Sequence, residues 1–288
     1  MPAGERSVSG LERAPNARAS LRRPAASDRR WERHDRTPGS GADANSLRFG
    51  PVKPREVPPA GESLLPPERG VPIDRQKAIA VALPCWAGWG AMIWAVLDQR
   101  TAAMDRAGLT WFRDGPGFTT RAPAYLLEAI RDVTALGGVL LTTLAAIAAI
   151  VALLFLRLRR EAVLLGMTVA LGWGLNNAMK ALIGRERPDL VPHLTPVSGL
   201  SFPSAHAFAS AMVYIGMALA FACLSRSRAA RYALVGTAMA LSALIAWSRV
   251  LLGVHYPSDV VAGWLGGAGW AFLAAALLNP PSRSAASQ

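Results

Sequence analysis

Six apolar runs, Ala78–Leu97, Val133–Leu156, Ala162–Ile183, Ala205–Leu224, Tyr232–Val250 and Val260–Leu278, constrain this chain more than any other feature. Each is long enough, or nearly so, to cross a hydrocarbon core of about 30 Å at a rise of about 1.5 Å per residue. The first two contain no charged residue. Backbone polar groups in lipid must be satisfied within the segment or by closure of a barrel, and no alternating pattern of short strands is present, so the runs are read as helices. The expected fold is all-α: a polytopic membrane protein built as a six-transmembrane-helix bundle. Charged residues make up only 17% of the chain, against about 25% in soluble domains, which excludes an ordinary soluble fold.

Residues 1–72 differ in kind from the rest. They are rich in Arg, Pro, Gly and Ser and nearly free of aromatics, a composition that cannot bury enough surface to offset ordering entropy. They are read as a disordered cytoplasmic tail, residues 73–280 as the six-helix domain, and 281–288 as a short C-terminal tail. Up to Asp74 there are 13 basic and 10 acidic residues, a near balance that argues against a nucleic-acid-binding arm. Arg22-Arg23 and Arg29-Arg30 are followed by no apolar stretch, so they are not read as an export signal. Cys85 and Cys223 lie in apolar runs without metal-ligand spacing and are read as small buried hydrophobes.

Loop charges orient the bundle. The connection after the second run carries Arg157, Arg159 and Arg160, and the one after the fourth carries Arg226, Arg228 and Arg231. The positive-inside rule places both in the cytoplasm, together with the two termini. Connections 98–132, 184–204 and 251–259 then face outward.

Those outward connections adjoin four breaks in the apolar pattern: Lys180 with Arg187-Pro188, Pro203-Ser204-Ala205-His206, Ser248-Arg249, and His255 with Asp259. Charges inside membrane spans are costly and point to function. Singly, each has an ordinary explanation: a snorkelling cation, a packed histidine, a proline opening a helix. Together they gather at the outer helix ends, and their chemistry suits a phosphate. Lys180, Arg187 and Arg249 match a phosphoryl dianion. Ser204 and the amides of Ala205 and His206 open a helix, whose N-terminus attracts anions. Two histidines can divide nucleophile and acid roles, with Asp259 four residues on to hold the His255 ring. One Asp and two His beside three cations do not make a magnesium site, so no metal and no other cofactor is expected.

The three clusters, Lys180-x6-Arg187-Pro188, Pro203-Ser204-Ala205-His206 and Ser248-Arg249-x5-His255-x3-Asp259, resemble the tripartite signature of the type 2 phosphatidic acid phosphatase superfamily. The resemblance spans roughly residues 78–278. It departs at Ala205, where glycine is commonest; alanine keeps the backbone amide the family uses. The resemblance implies that Lys180, Arg187, Ser204, the Ala205 amide and Arg249 bind phosphate. It also implies that His255 forms a phosphohistidine, that Asp259 orients it, and that His206 protonates the leaving oxygen, without a metal. Vanadate-dependent haloperoxidases share the signature but are soluble, and six spans argue against that branch.

The expectation is a metal-independent lipid phosphate phosphatase in a bacterial plasma membrane, active at the outer face, with membrane lipids around it and a lipid phosphate as substrate. Undecaprenyl diphosphate, phosphatidic acid, phosphatidylglycerol phosphate and lipid A phosphates all fit, and the oligomeric state is left open. Two rivals use the same residues: a lipid phosphotransferase, and a non-catalytic lipid-binding protein, against which the intact Lys180, His206 and His255 speak. Asp132–Gly138 resembles a stretch of bacterial family members and is also explained as a helix cap with small packing residues. Trp111, Phe112, Phe118 and Tyr125 in the 98–132 connection fit an interfacial segment or aromatic anchoring. His193 is read as a solvated loop residue with gating as the alternative.

Overall fold

A computed structural model describes residues 74–278. The expected tails, 1–72 and 281–288, lie outside the described residues. Nine helices and a two-stranded hairpin are described: α1 (Arg75–Leu97), α2 (Ala102–Thr110), β1 (Arg113–Asp114), β2 (Thr119–Thr120), α3 (Ala124–Ala135), α4 (Val139–Phe155), α5 (Arg159–Ile183), α6 (Ala205–Ser210), α7 (Gly216–Phe221), α8 (Arg228–Leu251) and α9 (Pro257–Leu278). A π turn, Ala211–Ile215, joins α6 to α7, so one span runs over Ala205–Leu224. The hairpin pairs Arg113 with Thr120 and Asp114 with Thr119. Five helices are long and apolar enough to cross a membrane, and the bent pair α3–α4 makes a sixth span if taken as one. The chain is thus a multi-pass membrane protein.

The second expected span needs correction. Val133–Leu156 is not one helix: α3 ends at Ala135, α4 begins at Val139, and the two are bent by 49°. Hydropathy does not register the Gly137-Gly138 pair at the break. A Cβ at Gly137 would collide with Ile245 Cγ2 and lie 3.3 Å from the His206 carbonyl oxygen. Glycine also costs about 1 kcal/mol relative to alanine inside a helix, so the helix gives way where α8 and α6 crowd it. The 98–132 connection, read as an interfacial segment or as aromatic anchoring, folds into α2, the hairpin and most of α3. Leu109 and Asp105 of α2 are buried, while Trp111 and Tyr125 are exposed.

Glycines on α9 set its distance from its neighbours. A Cβ at Gly263 would lie 2.6 Å from the Ser204 carbonyl oxygen, one at Gly267 would meet the Phe208 carbonyl, and one at Gly269 would lie 2.6 Å from Trp86 Cδ1 of α1. Gly263 and Gly267 bring the backbone of α9 against α6 and Gly269 lets α1 approach, while alanines 211, 218, 268, 271 and 275 pack in the core alongside α9. Both cysteines, expected to be buried, are half-buried against apolar clusters, and the Cys223 thiol donates to the Ala220 carbonyl at 3.0 Å.

The bundle has two chemically different ends. At one, Lys77 at the start of α1 donates to Tyr232 near the start of α8 at 3.4 Å, and Arg160 near the start of α5 reaches the Leu277 carbonyl at 3.2 Å. At the other end α5 and α8 finish, and α6 and α9 begin.

Candidate active site

That second end gathers every residue expected at the site. Gly184, at φ +64°, terminates α5 one turn after Lys180, and the chain then crosses the bundle top through Arg185 and Arg187. The Ser201 amide donates to the Arg185 carbonyl at 2.8 Å, so the 184–204 connection folds back on itself before Ser204 opens α6. The Ser204 amide donates to the Asp259 carbonyl at 3.0 Å, tying the start of α6 to the start of α9.

His255 and Asp259 are 2% and 0% exposed. His255 Nδ1 faces Asp259 Oδ2 at 3.4 Å and Ser201 Oγ at 3.3 Å. Ser201 also donates to the same Asp259 oxygen, and the Tyr256 amide does so at 2.9 Å. With the Nδ1 proton turned toward the carboxylate, Nε2 is left with a lone pair, to which Arg187 donates at 3.1 Å. Burial is the largest influence on this imidazole. It outweighs the opposing pull of Asp259 and, with Arg187 and Arg249 adding to it, lowers the His255 pKa to about 4. The ring is therefore neutral near pH 7 and its Nε2 is a competent nucleophile.

The cations are fixed mainly by backbone. Lys180 donates to the Leu200 carbonyl at 2.7 Å. Arg187 donates through Nε to Gly199, and through its terminal nitrogens to Ser198 and Val254, all carbonyls at 2.9–3.0 Å. Arg249, 4% exposed, donates to Thr134 Oγ1 at 3.0 Å. Arg249 Nε and Ser204 Oγ are buried without a hydrogen-bond partner in the protein. Buried polar atoms are nearly always paired, so an orphaned hydroxyl and an orphaned guanidinium nitrogen of one of the three cations mark a position shaped for an anion. Ala205 is the first residue of α6; a helical conformation suits alanine, and the departure from glycine costs the backbone nothing there.

His206 stands on α6 beside a recess lined by Gly137, Thr142, Trp173, Asn176 and Phe208. A Cβ on Gly138 would lie 3.9 Å from His206 Nε2. The Asp132–Gly138 stretch thus does more than cap a helix: it supplies Thr134 to Arg249, and Gly137 lets its backbone pack against α6 at His206. His193 bonds the Pro188 carbonyl at 2.6 Å and holds the loop.

Four residues at the site escape a reading of the sequence alone. Ser201 bridges Asp259 and His255, and Thr134 holds Arg249. Arg185 binds Asp259 Oδ1 at 2.7 Å and Asp105 Oδ2 at 2.8 Å. Asp105 in turn accepts from the Ser258 amide and hydroxyl at 2.9 and 2.7 Å. Arg185 lies within the Lys-x6-Arg spacing as a third cation; Asp105 stands in a stretch of mixed charge with no local signal.

Residues 161–282 match the family model described as the PAP2 superfamily. The chain is 38% identical over 96 residues to phosphatidylglycerophosphatase B of Bacillus subtilis, covering 31% of this chain and 44% of that protein. It is 36% identical over 120 residues to a lipid A 1-phosphatase of Rhizobium etli, covering 38% and 47%. It is 36% identical over 110 residues to a decaprenylphosphoryl-5-phosphoribose phosphatase of Mycobacterium tuberculosis, covering 37% and 55%. The chain thus spans about half the length of these curated relatives. A crystal structure of a transmembrane PAP2 type phosphatidylglycerolphosphate phosphatase from Bacillus subtilis superposes with a TM-score of 0.56 at 25% identity, covering 69% of this chain and 94% of that one.

Proposed function

We propose that this chain, which belongs to the PAP2 superfamily, is a membrane phosphatase that removes phosphate from lipid head groups through a phosphohistidine intermediate. The observation that carries the reading is the joint geometry of the buried His255–Asp259 pair and the two orphaned atoms, Arg249 Nε and Ser204 Oγ, among Lys180, Arg187 and Arg249. The names of the relatives support the substrate class: each is a phosphatase named for a different lipid phosphate.

In the first step the phosphate oxygens lie among Lys180, Arg187, Arg249, Ser204 and the Ala205 amide. Phosphate displaces the Arg187 contact from His255 Nε2, which attacks phosphorus in line. The N–P bond forms as the P–O bond to the lipid breaks, and His206 gives its proton to the departing oxygen. Asp259 holds the Nδ1 proton and offsets the positive charge that develops on the ring. In the second step a water attacks phosphorus, its proton passes to His206, and the N–P bond breaks to release phosphate. Three cations supply the charge neutralisation that a divalent metal gives other phosphatases, so the reaction is metal-independent.

The site faces the extracytoplasmic side of a bacterial plasma membrane, with the termini inside. Support comes from Arg157, Arg159, Arg160, Arg226, Arg228 and Arg231 at the opposite end. Two arginines on the site side serve local structure instead: Arg113 donates to the Leu251 carbonyl at 3.1 Å and Arg131 to the Leu194 carbonyl at 2.8 Å.

The test is phosphate release by purified protein in detergent, offered phosphatidic acid, phosphatidylglycerol phosphate, a polyprenyl diphosphate and lipid A. Turnover of at least one, abolished in His255→Ala, supports the reading. Folded protein inert toward all four refutes it.

A further inference from the structure

Asp259 has two oxygens with different partners. Oδ2 serves His255, Ser201 and the Tyr256 amide, whereas Oδ1 takes a hydrogen bond from Arg185 at 2.7 Å. Arg185 lies over the Tyr256 ring, 4.0 Å from its centre, and also donates to Ser258 Oγ at 2.7 Å. Its other arm meets Asp105, whose side chain is 3% exposed and which clamps the first turn of α9 through the Ser258 amide and hydroxyl. A charged acidic residue that is buried some 150 positions from its serine partner is expensive unless fully paired.

We propose that Asp105 and Arg185 are positioning residues that determine how much of the Asp259 negative charge reaches His255. The proposal rests on His255 being the nucleophile. Arg185 orients Asp259 by occupying Oδ1, which leaves Oδ2 facing the imidazole. Arg185 alone would also neutralise Asp259. With Asp105 present, one guanidinium is shared by two carboxylates, and the buried group keeps a net charge of −1. That charge balances the imidazolium that exists while His255 carries the phosphoryl group on Nε2 and a proton on Nδ1. Burial works against the Arg185 cation, but the charges and hydrogen bonds of Asp259 and Asp105 outweigh it and raise its pKa above the usual guanidinium value.

The other groups facing His255 are Arg187 and Arg249, both cationic, with His206 across the site and the neutral Ser201. None of them changes in the variants below, so shifts in the His255 titration report on Asp105 and Arg185.

The experiment measures kcat and KM for phosphatidic acid in mixed micelles against pH, using the full chain. Asp105→Asn removes a negative charge. It is expected to lower kcat about tenfold with KM within about twofold, and to move the acid limb of kcat downward by about one pH unit. Arg185→Gln removes a positive charge and moves the limb upward. Asp105→Asn combined with Arg185→Gln restores the net charge of −1 and returns the limb toward the wild-type position, while Arg185→Lys keeps it there. Opposite movements from two neighbouring substitutions are not a result of loosened packing. Limbs that move in the same direction, or stay fixed while kcat falls, overturn the proposal; so does a double variant displaced further than either single one. If instead His255→Ala retains wild-type turnover, the nucleophile assignment itself has failed, whatever the Asp105 variants do.

Discussion

Thr134→Val tests how the Arg249 guanidinium, proposed to bind phosphate, is held. The substitution keeps the β-branched shape and nearly the volume of the side chain, and removes only the hydroxyl that accepts from Arg249 at 3.0 Å. Thr134 is 7% exposed and Arg249 is 4% exposed, so water cannot readily replace the lost acceptor. Arg249 Nε already lacks a partner in the protein, so a second orphaned donor on the same cation follows. Leaving a buried donor of a charged group unpaired costs about 1.5–3 kcal/mol. At about 1.4 kcal/mol per tenfold, kcat/KM for a lipid phosphate is expected to fall by about 10- to 100-fold. Thr134→Ser retains an acceptor and stays within about threefold of wild type, since a hydroxyl alone meets the requirement. The assay is phosphate release from phosphatidic acid in mixed micelles, with thermal unfolding of each variant measured with and without vanadate. Vanadate occupies the anion position that Arg249 serves, so it should stabilise Thr134→Val, whose guanidinium is no longer held there, less than wild type. A Thr134→Val protein as active as Thr134→Ser, with the same vanadate stabilisation as wild type, refutes the idea that Thr134 holds Arg249 for the substrate.

Other outcomes follow from the same geometry. His206→Ala should lose most turnover of a lipid monoester, about 10²–10⁴-fold, yet keep a sizeable share with nitrophenyl phosphate, whose leaving group needs no proton; His255→Ala should fail with both. Equal loss of both substrates in a His206→Ala protein that still binds vanadate would mean the acid lies elsewhere. Activity is expected to survive chelation of divalent ions and to be inhibited by vanadate; loss on chelation that magnesium restores would defeat the metal-independent reading. On a background lacking Cys85 and Cys223, cysteines at Thr119 and Thr195 should react with an impermeant thiol reagent in intact cells and one at Arg228 only after lysis, and the reverse pattern would invert the topology. The His255 pKa is lowered to about 4 in the fold, against about 6.5 when unfolded. Between these values the unfolded chain binds the extra proton, so stability contributed by neutral His255 is lost as pH falls from about 6.5 toward 4; unfolding temperatures at pH 7 and 5 should differ less in His255→Gln than in wild type, and an equal difference would argue against it.

The parts of this molecule legible in its sequence are those where polarity conflicts with surroundings. Lys180, His206, Arg249 and Asp259 stand out because apolar runs otherwise exclude such residues, and the same runs announce the helices. Geometry created by distant contacts leaves no such trace. Arg185 looks like a spacer between Lys180 and Arg187 until Asp105, 80 residues away, and Asp259, 74 residues away, are placed on either side of it. Ser201 precedes the Pro203-Ser204-Ala205-His206 cluster by two residues, yet its role depends on α9 lying alongside. The break in the second span is silent in the sequence for the same reason: hydropathy counts Gly137 and Gly138 as tolerable, while the crowding of Gly137 by Ile245 and the His206 backbone arises only in the folded bundle.

The closeness of α9 to α6 bears on how such a protein can diversify. Gly263 and Gly267 place one helix backbone against another, so the separation of His255 from Ser204 and His206 is a main-chain dimension that side-chain substitution elsewhere does not rescale. The recess beside His206 is different: Thr142, Trp173, Asn176 and Phe208 contribute replaceable side chains to its wall. On the proposed function, substitutions along that wall change which lipid fits, while the two glycines hold the reacting groups at one separation.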